Sequence, residues 1–321
     1  MEAQPISVSV VIPVYRSAAC LPELVAQLTR TLDQRGENYE LVFVDDASPD
    51  NSWEVIRSLA QKTPRLRAVR LMRNYGQHRA TLYGLALARG AVVATMDDDL
   101  QHPPDQLPLL LDALAGHPDL DCVFGCAAEK HHARYRNWGS NLIRHLNART
   151  FDLPREVRSS SFRVLRQPVA RALAECRTCN PALATMIYQI TRQVRSIPVR
   201  HEARRTGSSN YTFYKQVRLA LDYVCGTSLL PLHLVGVLGF TFCLFSMGYV
   251  AVILHRYFRD DIQLVGWTST IILLSFSAGV ILLALAIIGE YLVRILREVQ
   301  GLPACMERER TGWRPPAAAD H

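Results

Sequence analysis

Two long apolar runs near the end of the chain, nine residues apart, restrict its folds more than any other feature. Residues 229–254, LLPLHLVGVLGFTFCLFSMGYVAVIL, contain His233 but no Asp, Glu, Lys or Arg, and residues 264–289, LVGWTSTIILLSFSAGVILLALAIIG, contain none of the five. Each run exceeds the roughly 20 residues that cross a bilayer as a helix. A buried hairpin in a soluble core is the competing home, and two such runs in succession favour the membrane. The link HRYFRDDIQ, 255–263, suits a tight exposed turn between antiparallel spans. Basic residues near the span ends set the orientation. Arg204, Arg205, Lys215 and Arg218 precede the first run; Arg294, Arg297, Arg308, Arg310 and Arg314 follow the second; the link holds Arg256 and Arg259. Both termini are therefore expected in the cytoplasm.

This topology divides the chain into a cytoplasmic domain (1–210), an amphipathic juxtamembrane helix (211–228), two transmembrane helices (229–254 and 264–289) and a basic cytoplasmic tail (290–321). Phe213, Val217, Ala220, Leu221 and Val224 recur at helical spacing. That helix fits the membrane interface and fits packing on the soluble domain equally well. A net charge of +7 suits an anionic partner: nucleic acid, anionic lipid or a phosphorylated substrate. No basic run interleaved with aromatics supports nucleic acid. The eight cysteines are scattered, no secretory signal precedes them, and they read as reduced thiols. The lone Cys176-x-x-Cys179 lacks the second ligand pair of a structural zinc site.

The first part of the chain alternates strands with helices. Strands are predicted over 7–14, 40–46, 65–72, 91–97 and 120–126, with helices over 21–34 and 78–90 and Gly90 as the stop of the second. This alternation implies a mainly parallel sheet with helices on both faces. Ligands of such sheets bind beyond the carboxyl ends of the strands. Polar clusters stand at those ends: Pro13 and Tyr15, then Asp45 and Asp46, then Arg73 and Asn74, then Asp97 to Gln101. No GxGxxG follows the first strand, which disfavours a nicotinamide dehydrogenase.

The last cluster, MDDDLQHPPD (96–105), places three carboxylates in a row after an apolar strand. If the chain stays extended, Asp97 and Asp99 point one way and Asp98 the other. Two carboxylates on one side form a hard-oxygen site for Mg²⁺ or Mn²⁺, and Gln101 can add a carbonyl oxygen. A solvated acidic turn is the bland alternative; the neighbouring polar strand ends favour the metal. His102, between Gln101 and Pro103, reads as a buttress of the turn rather than a base, and Trp138 as packing.

VSVVIPVYRSA, VFVDDAS, RNYGQHRATLYGLALARG and MDDDLQHPPD, in this order, resemble glycosyltransferase family 2. They are most similar to its polyprenyl-phosphate branch, which includes dolichol-phosphate mannose synthase and the bacterial undecaprenyl-phosphate glucosyl and formamido-arabinose transferases. The resemblance implies a GT-A fold and inverting, metal-dependent transfer of a sugar from a nucleotide sugar, UDP-linked in the bacterial branch, to undecaprenyl or another polyprenyl phosphate. It also implies a place in the bacterial inner membrane, a role in cell-envelope glycan or lipid A modification, and a homo-tetramer. By the same resemblance, Pro13, Tyr15, Asp45, Asn74, Asp97 and Asp98 bind the nucleotide sugar, while Asp97, Asp99 and Gln101 hold the metal. Arg136 and Ser140 in RNWGS, Arg163 in SSSFR, and Arg204, Ser209 and Tyr211 in RRTGSSNYT face the acceptor phosphate. Asp97, Asp99, Arg136, Arg163 and Arg204 form the catalytic set.

This sequence departs from the family pattern in places. Arg16-Ser17-Ala18 stands where Asn-Glu-Glu is usual, and Val157 stands where an acidic residue is common, with Glu156 adjacent. Asn210 replaces a frequent lysine. These changes leave room for a second reading, a non-catalytic membrane scaffold that binds nucleotide sugar through a degenerate transferase domain. A processive polysaccharide synthase would carry a Gln-x-x-Arg-Trp motif, which this sequence lacks.

Overall fold

The structure, a computed structural model, describes residues 5–127, 157–176, 181–202, 230–257, 267–299 and 305–313. The chain divides into two units, Met1–Ser209 with Pro303–His321, and Asn210–Leu302.

The first unit is built on an eight-stranded sheet. Its strands are β1 (Val8–Val14), β2 (Tyr39–Asp45), β3 (Leu66–Leu71), β4 (Val92–Thr95), β5 (Cys122–Ala127), β6 (Arg163–Arg166), β7 (Val194–Val199) and β8 (Glu307–Thr311). Their order is β7-β5-β6-β4-β1-β2-β3-β8. β4, β1, β2 and β3 run parallel, as do β5 and β7; β6 is antiparallel to β4 and β5, and β8 is antiparallel to β3. β1 and β2 are buried at every position. A strand covered on both faces needs no polar side, which explains why their sequences read as continuous apolar runs.

Side chains alternate between two cores. Val8, Val10, Ile12 and Val14 face α1 (Leu21–Gln34), α2 (Ser52–Lys62) and α4 (Leu107–Ala115). Val11, Val42, Val93 and Phe124 face α3 (Gln77–Leu87), α5 (Gln167–Glu175) and α6 (Leu183–Ile190). Leu21, Leu24, Leu28 and Leu32 of α1 are fully buried, each contributing about 1.5–3 kcal/mol.

α3 ends at Leu87, three residues before the predicted stop at Gly90. Gly90 serves a different purpose: a Cβ there would lie 2.5 Å from Ser9 N, so only glycine lets this backbone approach β1.

In the second unit both apolar runs are helical, as α7 (Leu230–Tyr257) and α8 (Trp267–Val299). Phe242 and Phe276 meet between them, with ring centroids 5.2 Å apart. Two membrane spans are expected from sequence. Among the described residues, Phe276–Val293 of α8 is long and apolar enough to cross a bilayer, and the apolar stretch Val235–Tyr249 of α7 is shorter. α8 runs past the apolar segment because Leu292, Leu296 and Val299 continue its helical spacing. The region read from sequence as a tail is therefore helical to Val299 and contributes a sheet strand at Glu307–Thr311. The predicted juxtamembrane helix, 211–228, lies outside the described residues.

Candidate active site

The parallel strands β1 to β4 end on one side, and their following loops enclose an open cleft of about 340 Å³. Pro13, Val14, Tyr15, Asp46, Asn74, Gly76, Gln77 and all three of Asp97, Asp98 and Asp99 line it. The cleft thus gathers residues from four strand ends. Three non-glycine residues with left-handed backbone stand in these same loops: Arg16 (φ 58°), Ala47 (φ 53°) and Leu100 (φ 59°). Such conformations cost about 1–3 kcal/mol each and persist where surrounding contacts over-determine them.

Three adjacent carboxylates are tolerated because each has its own donor. Asp97 accepts from Ser161 Oγ at 2.6 Å and from the Gln77 amide. Asp98 accepts from Tyr15 N at 3.0 Å. Asp99 accepts from Gln101 N at 3.1 Å. The strand ends at Thr95, and after Met96 and Asp97 the next two aspartates, Asp98 and Asp99, lie in a bend. The extended chain assumed from sequence thus stops before the aspartates, and all three border the cleft. Burial pushes the Asp98 carboxyl up to about 6, with the Ser17 and Tyr15 hydrogen bonds opposing and the charges of Asp99 and Asp97 adding to the rise.

Asp45 and Asp46 divide their work by strand parity. Asp45 is fully buried and off the cleft wall; it accepts from Ser48 N at 3.3 Å and pairs with Arg70 Nε at 3.3 Å. Asp46 lines the cleft and accepts from Tyr75 N and Gly76 N, both at 2.7 Å. Burial raises the pKa of both carboxyls, and these hydrogen bonds oppose the rise.

Arg163 lies behind the aspartates, only 4% exposed. Its place in β6 opposite Thr95 explains this: Nε donates to Thr95 Oγ1 at 3.1 Å, and Thr95 Oγ1 donates to Ser161 O at 2.7 Å. Burial lowers the Arg163 pKa, with Cys122 and Asp97 opposing. Gln101 is partly buried; its carbonyl accepts from Glu202 N at 2.9 Å, and its side chain is not on the cleft wall. His102 is stacked on Phe162 at 5.1 Å and tilted against His201 at 4.8 Å. Burial, then the nearby His201, pushes the His102 pKa down to about 4, so the ring is a neutral buttress at neutral pH. Gly125 makes room for this stack, since a Cβ there would sit 2.7 Å from Phe162 Cδ1.

The predicted residues Pro13, Tyr15, Asn74, Asp97, Asp98 and Asp99 thus meet in one cleft. Arg136, Trp138, Ser140, Glu156, Arg204, Ser209, Asn210 and Tyr211 lie outside the described residues. Val157 is buried beside Phe124 and Leu165 in the second core. Ser17 N donates to Ser52 Oγ at 3.1 Å, tying the first loop to the start of α2. Asp46, named from sequence only as part of a polar strand end, and Gln77, which the sequence does not single out, also line the cleft. Gln77 stood in the RNYGQH segment, but its contact with Asp97 crosses twenty residues and leaves no local signature.

Among the described residues no three His, Cys, Asp or Glu side chains converge on one point. The cleft wall carries the carboxylates of Asp97, Asp98 and Asp99, hard oxygen donors of the kind that would hold Mg²⁺ or Mn²⁺.

A family model described as Glycosyl transferase family 2 matches residues 9–173. The chain is 31% identical over 299 residues to the undecaprenyl-phosphate 4-deoxy-4-formamido-L-arabinose transferase of Edwardsiella ictaluri, covering 92% of this chain and 91% of that protein. It is 32% identical over 307 residues to the protein of the same name from Pseudomonas aeruginosa, covering 94% and 90%. Among solved structures it is similar to glucosyl-3-phosphoglycerate synthase from Mycobacterium tuberculosis in complex with Mn²⁺, UDP-glucose and phosphoglyceric acid, with a TM-score of 0.50 and 16% identity over 70% of this chain and 81% of that one. That likeness is one of fold, an α/β fold of GT-A type with a mainly parallel sheet.

Proposed function

Because the chain belongs to glycosyl transferase family 2, we propose that it transfers a sugar from a UDP-linked donor to undecaprenyl phosphate at the cytoplasmic face of a bacterial inner membrane, with inversion. The observation that carries this reading is the convergence of Tyr15, Asp46, Asn74, Gln77 and Asp97 to Asp99 in one cleft. The names of relatives alike over nine-tenths of the chain support the lipid phosphate as acceptor. The apolar segment Phe276–Val293 of α8 supports a membrane location; the proposed topology is two spans with both termini cytoplasmic, set by the basic residues that flank the apolar runs. The reading includes a homo-tetramer and a role in cell-envelope glycan or lipid A modification.

Each group has a task. A phosphate monoester has a second pKa near 6, so the acceptor oxygen is anionic at cytoplasmic pH and needs no strong base. The barrier lies in the departing nucleoside diphosphate. Mg²⁺ or Mn²⁺, held by Asp97 and Asp99, would neutralise charge on that group. Tyr15, 41% exposed on the cleft wall, offers its ring to the nucleotide base. Asp46 holds the Tyr75–Gly76 backbone in place, and the neighbouring Asn74 faces the donor. Ser161 and Gln77 fix Asp97 in orientation. Arg136, Ser140, Arg204, Ser209 and Tyr211 take the acceptor phosphate, and Arg163 adds positive charge behind Asp97.

The test supplies the purified protein with undecaprenyl phosphate, Mn²⁺ or Mg²⁺, and labelled UDP-, GDP- and dTDP-sugars, UDP-formamido-arabinose among them. Label should enter the lipid phase from a UDP-sugar and stop with EDTA. Tight donor binding with no transfer from any sugar would instead support the scaffold reading.

A further inference from the structure

The segment Cys305–Trp313, which follows the apolar helices in sequence, has no part in the chemistry above, yet it grips the donor half of the cleft from two directions. On the strand side, β8 pairs with β3, Arg70 stands opposite Glu309, and Met72 N donates to Met306 O at 2.9 Å. On the helix side, Tyr83 Oη donates to the Glu307 carboxylate at 2.9 Å, and Cys305 Sγ approaches Arg79 O at 3.7 Å. β3 and α3 flank the loop Met72–Gly76. That loop and the first residue of α3 supply Asn74, Gly76 and Gln77 to the cleft. The segment therefore holds both stems of a cleft loop.

A second path runs through Arg70. Its guanidinium meets Asp45 Oδ2 at 3.3 Å, Ser48 O at 3.3 Å and Glu309 Oε1 at 3.6 Å. Ser48 Oγ in turn accepts from Arg16 N at 3.2 Å. Ala47 and Arg16, both in left-handed backbone, stand in the loops that this path fixes. Such backbone needs surrounding contacts to persist; Arg70 supplies one through Ser48 O, and Glu309, more than two hundred residues away in sequence, pairs with that arginine.

We propose that Glu307 and Glu309 are positioning residues for the nucleotide-sugar donor, acting through Tyr83 and Arg70 on the loops that line its site. This rests on the donor assignment of the cleft. The competing role is edge protection, in which the charges of ERERT only prevent strand addition. Arg310, which pairs with Glu307 at 2.6 Å, fits that role equally. The two roles differ in what they do to substrate binding.

The experiment uses the full chain in detergent with Glu309→Gln and, separately, Tyr83→Phe. Glu309→Gln removes the charge that pairs with Arg70 and Tyr83→Phe the hydroxyl that bonds Glu307; both keep size and strand pairing, and Tyr83→Phe decides the matter if Glu309→Gln fails to fold. Donor KM should rise about 5- to 10-fold with kcat within about twofold. Deuterium uptake should rise in peptides covering residues 45–51 and 72–80 and stay constant in α4 and β5. Unchanged donor KM, or unchanged uptake in those two peptides, overturns the proposal in favour of edge protection. If the wild-type protein transfers no sugar, the donor reading fails separately, and the uptake comparison still decides whether the segment holds the loops.

Discussion

The two ends of the parallel strands treat buried carboxylates in opposite ways. At the amino end, Glu40 of β2 is 2% exposed and surrounded by cations: Arg67, itself 5% exposed, and Arg89, whose Nη2 lies at 3.0 Å. Ser9 Oγ and Arg89 N complete its shell at 2.7 and 2.8 Å. At the carboxyl end of the same strands, Asp46, Asp97, Asp98 and Asp99 accept hydrogen bonds that include backbone amides, the serines Ser161 and Ser17 and the Gln77 amide. Neutral donors orient a carboxylate and leave its charge in place; arginines cancel it. One end therefore closes its carboxylate inside the core between arginines, while the other turns its carboxylates onto a cleft that a cation brought in with a diphosphate could reach. Asp45 is intermediate, since Arg70 neutralises it and it sits behind the cleft wall.

The largest effect tests the structural end. Glu40→Leu strands the buried Arg67 guanidinium and should cost about 3–5 kcal/mol, seen as a fall of roughly 10 °C in the melting temperature. A small change would mean that the amino-end cluster is not the anchor described. Next, Asp99→Asn should leave melting nearly unchanged and lower sugar transfer by about 100-fold or more, near 2.7 kcal/mol. An active Asp99→Asn protein would remove the metal assignment. Ser161→Ala takes one neutral donor from Asp97 and should weaken Mn²⁺ binding by about 10-fold, the low end for an outer-shell partner. Equal affinity in the two proteins would show that Asp97 needs no such support. The smallest effect is a gain: Ala47→Gly relieves the left-handed backbone and should stabilise the fold by about 0.5–1 kcal/mol, measured as a slightly higher melting temperature.

The contrast between the two ends was half legible in the sequence. Strands buried on both faces are continuous apolar runs, so the positions of β1 to β4 and the polar groups at their carboxyl ends could be read directly. The amino-end cluster could not, because Ser9, Glu40, Arg67 and Arg89 come from four separate segments and meet only through strand register. Choosing between Asp45 and Asp46 depends on where β2 ends and which face each side chain takes, a matter of one residue. Where β4 stops was not legible either: the strand ends at Thr95, short of the three aspartates. β8 was hidden because ERERT has no apolar face; an edge strand covered on few sides needs none.

The most direct test of the central claim is a titration of Mn²⁺ by electron paramagnetic resonance, with and without UDP, on the wild-type protein and Asp99→Asn. Mn²⁺ binding should tighten when UDP is added and be lost in Asp99→Asn while the protein stays folded. Equal Mn²⁺ affinity in the two proteins, or no binding to the wild type even with UDP, would contradict that claim.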